Sequence, residues 1–183
     1  MDRVVPNHED DESGFTLIEV IVASVVLVVG LVAVAYGMAL GLAVVTTSQQ
    51  DTIARQKARE AMEDVFAARD TASITFDQVC NIAAGTPCIF VNGFTLLTLP
   101  GPDGIVNTAD DTCAPCESVW TPGPDGILGT ADDVQVPLTG FQRQIQVTVL
   151  TPILKQVTVT IQYTTPKGLT RSVTLVALMS PYV

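Results

Sequence analysis

Histidine, aromatic side chains and bases are the scarce components of this 183-residue chain. The single histidine is His8, so no imidazole beyond it can serve as a general base or a metal ligand. Aromatic residues make up 5%, and the one tryptophan, Trp120, stands alone between two similar loops, which argues against a stacking platform for a ligand. Lysine and arginine number 9 against 19 acids, a formal net charge of −10, so the basic footprint that nucleic acid requires is missing. Neither a Gly-x-Ser-x-Gly elbow nor a P-loop occurs, and carboxylates pair only in two short loops and on one helix face. These absences predict a protein that is not an enzyme and has no nucleic-acid partner.

Charge and proline are also missing from Val20 to Val45, where only Ser24 and Tyr36 carry polar side chains. Twenty-six such residues make a helix of roughly 39 Å, more than a bilayer core needs. Glu19 lies at the edge of that run. A carboxylate in apolar surroundings is costly, so it calls for a partner. A conventional secretory signal has small residues at a cut on the far side of its apolar core. Here the polar part is Met1–Ser13, and no Ala-x-Ala-like site follows the run.

The stretch Gly14-Phe15-Thr16-Leu17-Ile18-Glu19-Val20, placed after a short polar leader and opening an apolar helix, resembles the N-terminus of type IV pilins and pseudopilins with their class III signal peptides. That resemblance implies cleavage by a prepilin peptidase between Gly14 and Phe15, N-methylation of Phe15, and pairing of Glu19 with the N-terminal amine of a neighbouring pilin subunit during filament assembly. Cleavage there also puts an ammonium at Phe15 one helical turn from Glu19 of the same chain, and the residues alone do not choose between the two partners. The resemblance implies insertion in the inner membrane first, followed by a place in an extracellular pilus or a periplasmic pseudopilus.

The chain departs from that pattern in two ways. Leaders of this kind are usually basic, whereas this one holds five acids and only Arg3, leaving fourteen acids and eight bases in residues 15–183. Arg3 set against Arg55, Lys57 and Arg59 orients the segment the wrong way by charge alone. Four cysteines and a turn-rich head nonetheless suit an oxidising exterior. The second departure is the lack of the proline that many pilins carry about twenty residues into the helix. Gly30, Gly37 and Gly41 are the weak points instead, where local melting in a filament would occur.

Neither Gly nor Pro occurs from Leu42 to Ala84, and Ala54, Ala58, Ala61, Met62 and Val65 share one helical face. One helix is therefore predicted from about Phe15 to Arg69. Residues 1–14 form a leader, 15–45 a transmembrane and assembly half, 46–70 an amphipathic half, and 71–183 a head. From Thr71 to Leu138, Gly, Pro, Asn and Asp punctuate short apolar pieces, a pattern of loops with short strands. In 142–180, Ile145/Val147/Val149, Val157/Val159/Ile161/Tyr163 and Val173/Leu175/Ala177/Met179 alternate with polar residues. Breaks at Thr151-Pro152 and 164–168 make this a three-strand antiparallel meander with one apolar face. The amphipathic half-helix is the available cover. The fold class is α+β, the long helix on a sheet that the pilin resemblance also implies, and the closing run Arg171–Leu175 before Ser180-Pro181 is most similar to minor pilins and minor pseudopilins.

The head contains a duplication. Residues 101–111 recur at 123–133, 22 residues later, with nine of eleven positions identical. The differences are Val106 against Leu128 and Asn107 against Gly129. Asn and Gly are the residues that best tolerate left-handed φ, so both copies are predicted to form the same turn. Asp103, Asp110 and Asp111 in the first copy, and Asp125, Asp132 and Asp133 in the second, offer hard oxygen ligands of the kind Ca²⁺ takes. The spacing is not that of an EF-hand, and the competing reading is a pair of solvated Pro-Asp-Gly turns. Cys80, Cys88, Cys113 and Cys116 read as disulfides in an exported domain, with Cys80–Cys88 and Cys113–Cys116 the preferred pairing among three. A four-thiolate zinc site fits by count, and Cys113-Ala114-Pro115-Cys116 has thioredoxin-motif spacing without the strand-to-helix setting.

Overall fold

The computed structural model describes residues 16–182. Helix α1 spans Leu17–Asp70 as 54 residues and runs without interruption through Gly30, Gly37 and Gly41. Thr16 caps it: its Oγ1 accepts the backbone N–H of Glu19 at 3.4 Å, and its carbonyl accepts the same N–H at 3.0 Å. At the other end Ser73 N–H reaches the Ala68 carbonyl and Ala72 N–H the Arg69 carbonyl, with Ala72 left-handed at φ 58°. This is a Schellman closure with alanine where glycine is usual. Glu19 in the first turn and Arg69 in the last both complement the helix dipole.

The chain divides into two compact units, the first ending at Val44 and the second running over Val45–Val183. In the first, the large apolar side chains from Leu17 to Val44 are 40–81% exposed. The helix is long and apolar enough to cross a membrane. Among the described residues nothing covers this surface, which suits lipid or other helices.

The second unit is built on a four-stranded antiparallel sheet. Strands β1 (Thr95–Leu96), β6 (Phe141–Thr151), β7 (Leu154–Thr164) and β8 (Thr170–Met179) lie in that spatial order. Two antiparallel ribbons accompany it, β2 (Thr98–Leu99) with β3 (Thr112–Cys116), and β4 (Ser118–Thr121) with β5 (Val134–Pro137). The predicted meander is therefore β6–β7–β8, extended at one edge by the two-residue β1.

Ala54, Ala58, Ala61 and Val65 of α1 are buried in one core with Phe141, Ile145, Val157, Val159, Ile161 and Tyr163. Three alanines let the helix backbone sit close to the sheet, and each larger buried side chain contributes about 1.5–3 kcal/mol. Met62 is only partly buried. Val149 departs from its expected inward place and is 60% exposed. The register shifts between Val149 and Thr151 at the end of the hairpin, which stops the alternation there.

Two bases occupy inward positions of the sheet. Arg143 is buried and donates to Glu117 Oε1 at 2.7 Å, and Glu117 Oε2 meets Lys57 Nζ of the helix at 3.1 Å. Lys155 is buried and donates to the carbonyls of Phe76 at 2.6 Å and Val79 at 3.0 Å, with the Phe76 ring 4.5 Å beneath it. These contacts fasten the loop-rich segment to the sheet and helix with hydrogen-bonded charge, which the buried setting requires.

Candidate functional site

Gly14 and Phe15, the predicted processing pair, lie outside the described residues, as does the leader. Glu19 is exposed in the first turn of α1, at the start of the uncovered apolar surface. A carboxylate so placed meets apolar surroundings as soon as lipid or neighbouring helices cover the segment.

The duplicated loop takes one local shape twice. Gly104 and Gly126 have φ of 72° and 70°, and Asn107 and Gly129 have φ of 69° and 96°, so the single Asn/Gly exchange falls at a left-handed position in both. In the first copy Asp103 Oδ1 accepts Ile105 N–H at 2.9 Å, and in the second Asp125 Oδ1 accepts Ile127 N–H at 2.8 Å. Asp110 accepts the Thr108 hydroxyl at 2.7 Å and Asp132 the Thr130 hydroxyl at 2.6 Å. Those hydroxyls, joined by the N–H groups of Asp103 and Asp125, hold both carboxyls below the ordinary aspartate range. A Cβ added at Gly101 would run into the side chain and carbonyl of Asp110, and one at Gly123 into those of Asp132. Glycine at each loop's first position is thus demanded by close approach.

Asp111 is the densest acceptor. Its carboxylate takes Asn107 N–H at 2.5 Å, Thr108 N–H at 3.1 Å, Gly101 N–H at 3.2 Å and the Thr98 hydroxyl at 3.1 Å. Asp133 accepts Gly129 N–H at 2.6 Å, while its Oδ1 is buried with no hydrogen-bond partner among the described residues. Ligand oxygens of Asp103, Asp110 and Asp111 all lie within 4.8 Å of one another. The clustered charge is largely met by N–H and O–H donors of the loop itself, the arrangement of a self-capped turn.

The cysteines form two bonds, Cys80–Cys88 and Cys113–Cys116. No free thiol remains among the described residues to supply a zinc site. Cys113 and Cys116 both belong to strand β3, so the Cys-x-x-Cys spacing sits on extended backbone and not at a helix start.

Sequence reading missed the Lys57–Glu117–Arg143 cluster and the anchoring role of Asn107. Asn107 is 1% exposed; its Oδ1 accepts the Thr95 hydroxyl at 3.0 Å and its Nδ2 donates to Val91 O at 3.3 Å. One signal was available: Asn replaces Gly at a position where Gly already satisfies the turn, so its side chain is free for other work.

Comparison with known proteins bears on the N-terminus. The family model described as the prokaryotic N-terminal methylation motif matches residues 10–35, a span that includes Gly14, Phe15 and Glu19. The chain therefore carries a type IV pilin-like class III signal, and its apolar helix fits a membrane-anchored precursor. Neither the curated proteins nor the solved structures provide a match.

Proposed function

We propose that this chain is a structural, non-enzymatic subunit of a type IV pilus or related filament, of the minor-pilin kind, matured by prepilin peptidase at Gly14 and assembled with other pilins through α1. The methylation motif carries the reading, because its matched span, residues 10–35, runs into an apolar helical surface that is exposed among the described residues. A cut before Phe15 keeps that helix in the mature protein and creates an amine beside an apolar surface. Glu19 of an adjacent subunit is the charge that compensates it. The head stands outside the inner membrane, first as a single-pass precursor and then in the filament, and its two disulfides suit that compartment. A pseudopilin of a type II secretion system uses the same chemistry and differs in where the filament ends.

The aspartate loops are proposed as Ca²⁺ sites that stiffen the head. Support comes from the convergence of Asp103, Asp110 and Asp111 within 4.8 Å and from the unpartnered Asp133 Oδ1. A titration of the whole protein with Ca²⁺ that gives neither heat nor a rise in melting temperature removes this part and leaves the filament reading intact.

The deciding experiment is the N-terminal peptide mass of protein recovered from its native host, with Glu19→Ala alongside. An N-methylated Phe15 start, with assembly lost in Glu19→Ala, is the expected result. A chain still beginning at Met1, or assembly indifferent to Glu19→Ala, overturns the proposal in favour of a membrane-anchored binding module.

A further inference from the structure

Strand β7 is bounded by two exposed apolar turns of different character, and its 11 residues hold them about 33 Å apart. At one end Val149, Leu150 and Ile153 are 60%, 47% and 52% exposed, and the nearest base, Lys155, is buried. At the other, Leu169 is 61% exposed between Lys167 and Arg171, both of them exposed. Gly168 is left-handed at φ 75°, and the N–H and hydroxyl of Thr165 both donate to the Leu169 carbonyl, so this tip is fixed.

The two ends also meet different parts of α1. Near the first turn Met179 pairs with Lys155, and Arg69 at the close of the helix donates to the Pro181 carbonyl. The basic turn hangs on residues 50 and 51: Gln50 Nε2 donates to the Thr164 carbonyl at 3.3 Å, and the Tyr163 hydroxyl to Asp51 Oδ1 at 3.3 Å. Gln50 lies five residues past Val45, where the apolar run ends, which is about 7.5 Å of helix. A headgroup layer is itself about 5–7 Å deep on each face of a bilayer, so the anchor of this turn stands at headgroup height. Beyond α1 the sequence holds four bases, and with Arg143 and Lys155 buried the exposed ones are Lys167 and Arg171. Among the described residues neither forms an ion pair, and nearby Asp51 is held by Arg55 Nε at 2.7 Å. The acidic second loop lies elsewhere: its Leu128 lines a groove with Ser48, Thr52 and Gln56, which fall roughly opposite Gln50 around the helix.

We propose that the Lys167–Arg171 turn docks on the anionic phospholipid surface beside the membrane-spanning half of α1, with both bases on headgroup phosphates and Leu169 in the interfacial layer. The apolar run of 26 residues, roughly 39 Å, exceeds a hydrocarbon core of about 30 Å, and tilt that takes up the surplus lowers one side of the head. Tilt towards the basic turn carries Asp125, Asp132 and Asp133 away from the same surface, so charge selects the side that comes down. The contact belongs to the precursor in the bilayer and is given up when the subunit leaves it. The inference rests on the membrane-anchored precursor and holds whichever filament that precursor enters.

The test puts the full-length chain into vesicles of phosphatidylglycerol and phosphatidylcholine whose acyl chains are brominated, and moves its single tryptophan. Trp120→Phe with Leu169→Trp should give blue-shifted, quenched emission, whereas Trp120→Phe with Ile153→Trp should stay unquenched at the far end of β7. Quenching at position 169 should weaken in phosphatidylcholine alone and in high salt. Each base near an anionic surface favours the docked state about fivefold, so Lys167→Glu with Arg171→Glu should remove most of the quenching. Lys167→Arg with Arg171→Lys keeps both charges and should retain it. Water-like emission at position 169, equal quenching at position 153, or quenching indifferent to phosphatidylglycerol and to the double charge reversal overturns this contact and spares the anchored precursor. A chain that does not float with the vesicles overturns both.

Discussion

The two copies of the duplicated loop share nine of eleven residues and one backbone shape, yet they live in opposite environments. In the first, Ile105 is 1% exposed and Val106 4%, both within the core. In the second, the matching Ile127 and Leu128 stand in water. Local sequence sets the turn, through left-handed Asn/Gly, Asx contacts and the hydroxyl–carboxylate bonds. Tertiary context decides whether the apolar pair of the turn becomes core or surface. The first copy is drawn in by Asn107, which bonds Thr95 beside the sheet edge and Val91 in the preceding loop. The second copy has Gly129 there and no side chain with which to do the same.

The largest effect that can break this comparison comes from truncating the matched isoleucines. Ile105→Ala should destabilise the second unit by about 3 kcal/mol, the cost of lost burial plus a partly collapsed cavity. Ile127→Ala should change stability by less than about 0.5 kcal/mol, as exposed positions do. Urea unfolding of the full chain in detergent, followed by the fluorescence of Trp120, reads both. Equal effects would mean that the second copy is packed in solution.

Exchanging the one turn residue that differs tests why the environments diverge. Asn107→Gly keeps the left-handed backbone and removes two side-chain hydrogen bonds, leaving the Val91 carbonyl without that donor and the Thr95 hydroxyl with only its longer bond to the Arg143 carbonyl. A loss of about 1–2 kcal/mol is expected. Gly129→Asn, with no buried partner to meet, should stay within about 0.5 kcal/mol of the parent. The same unfolding assay applies, and a large loss for Gly129→Asn would show that the second turn depends on glycine for more than its φ.

How far these features were legible in the sequence follows from how local their causes are. The alternation Val157, Val159, Ile161, Tyr163 and the helical face Ala54, Ala58, Ala61, Val65 put the right residues into the core, because period and burial share one cause. The left-handed pair Asn107/Gly129 was legible for the same reason. Arg143 and Lys155 are in phase with Ile145 and Val157, but as bases they were not readable as inward residues. Their burial depends on carbonyls of Phe76 and Val79 and on the carboxylate of Glu117, none of which is near them in sequence. The helix end at Ala72 carries no glycine to announce it. The methylation motif was legible because it is a local sequence pattern, matched over residues 10–35. The exposure of Ile127 and Leu128 could not be told apart from the burial of Ile105 and Val106 by hydrophobic pattern, because the two copies differ there only by the Asn107/Gly129 exchange and Val106 against Leu128.

The smallest effect is one that should be equal in the two copies. Thr108→Val and Thr130→Val each remove the hydroxyl that bonds Asp110 or Asp132. Both carboxyls titrate below the ordinary aspartate value, chiefly because of that bond. A group whose folded pKa is depressed adds stability that is present above its unfolded pKa and lost as pH falls through the folded one. Each valine variant should therefore raise its own aspartate's pKa, leave the other's unchanged, and flatten the loss of stability in the acid range below the ordinary aspartate pKa. Carboxyl carbon NMR titration of the two variants compares the shifts directly. Both hydroxyls also bond the isoleucine carbonyl three residues back, but Thr108 is buried and Thr130 exposed, so the stability costs of the two valines should differ. The pKa shifts should not, because the bond that causes them is drawn within three residues in each copy. Unequal shifts would mean that the surroundings, and not the loop alone, set the charge of this motif, and the division between local turn and tertiary context would have to be redrawn.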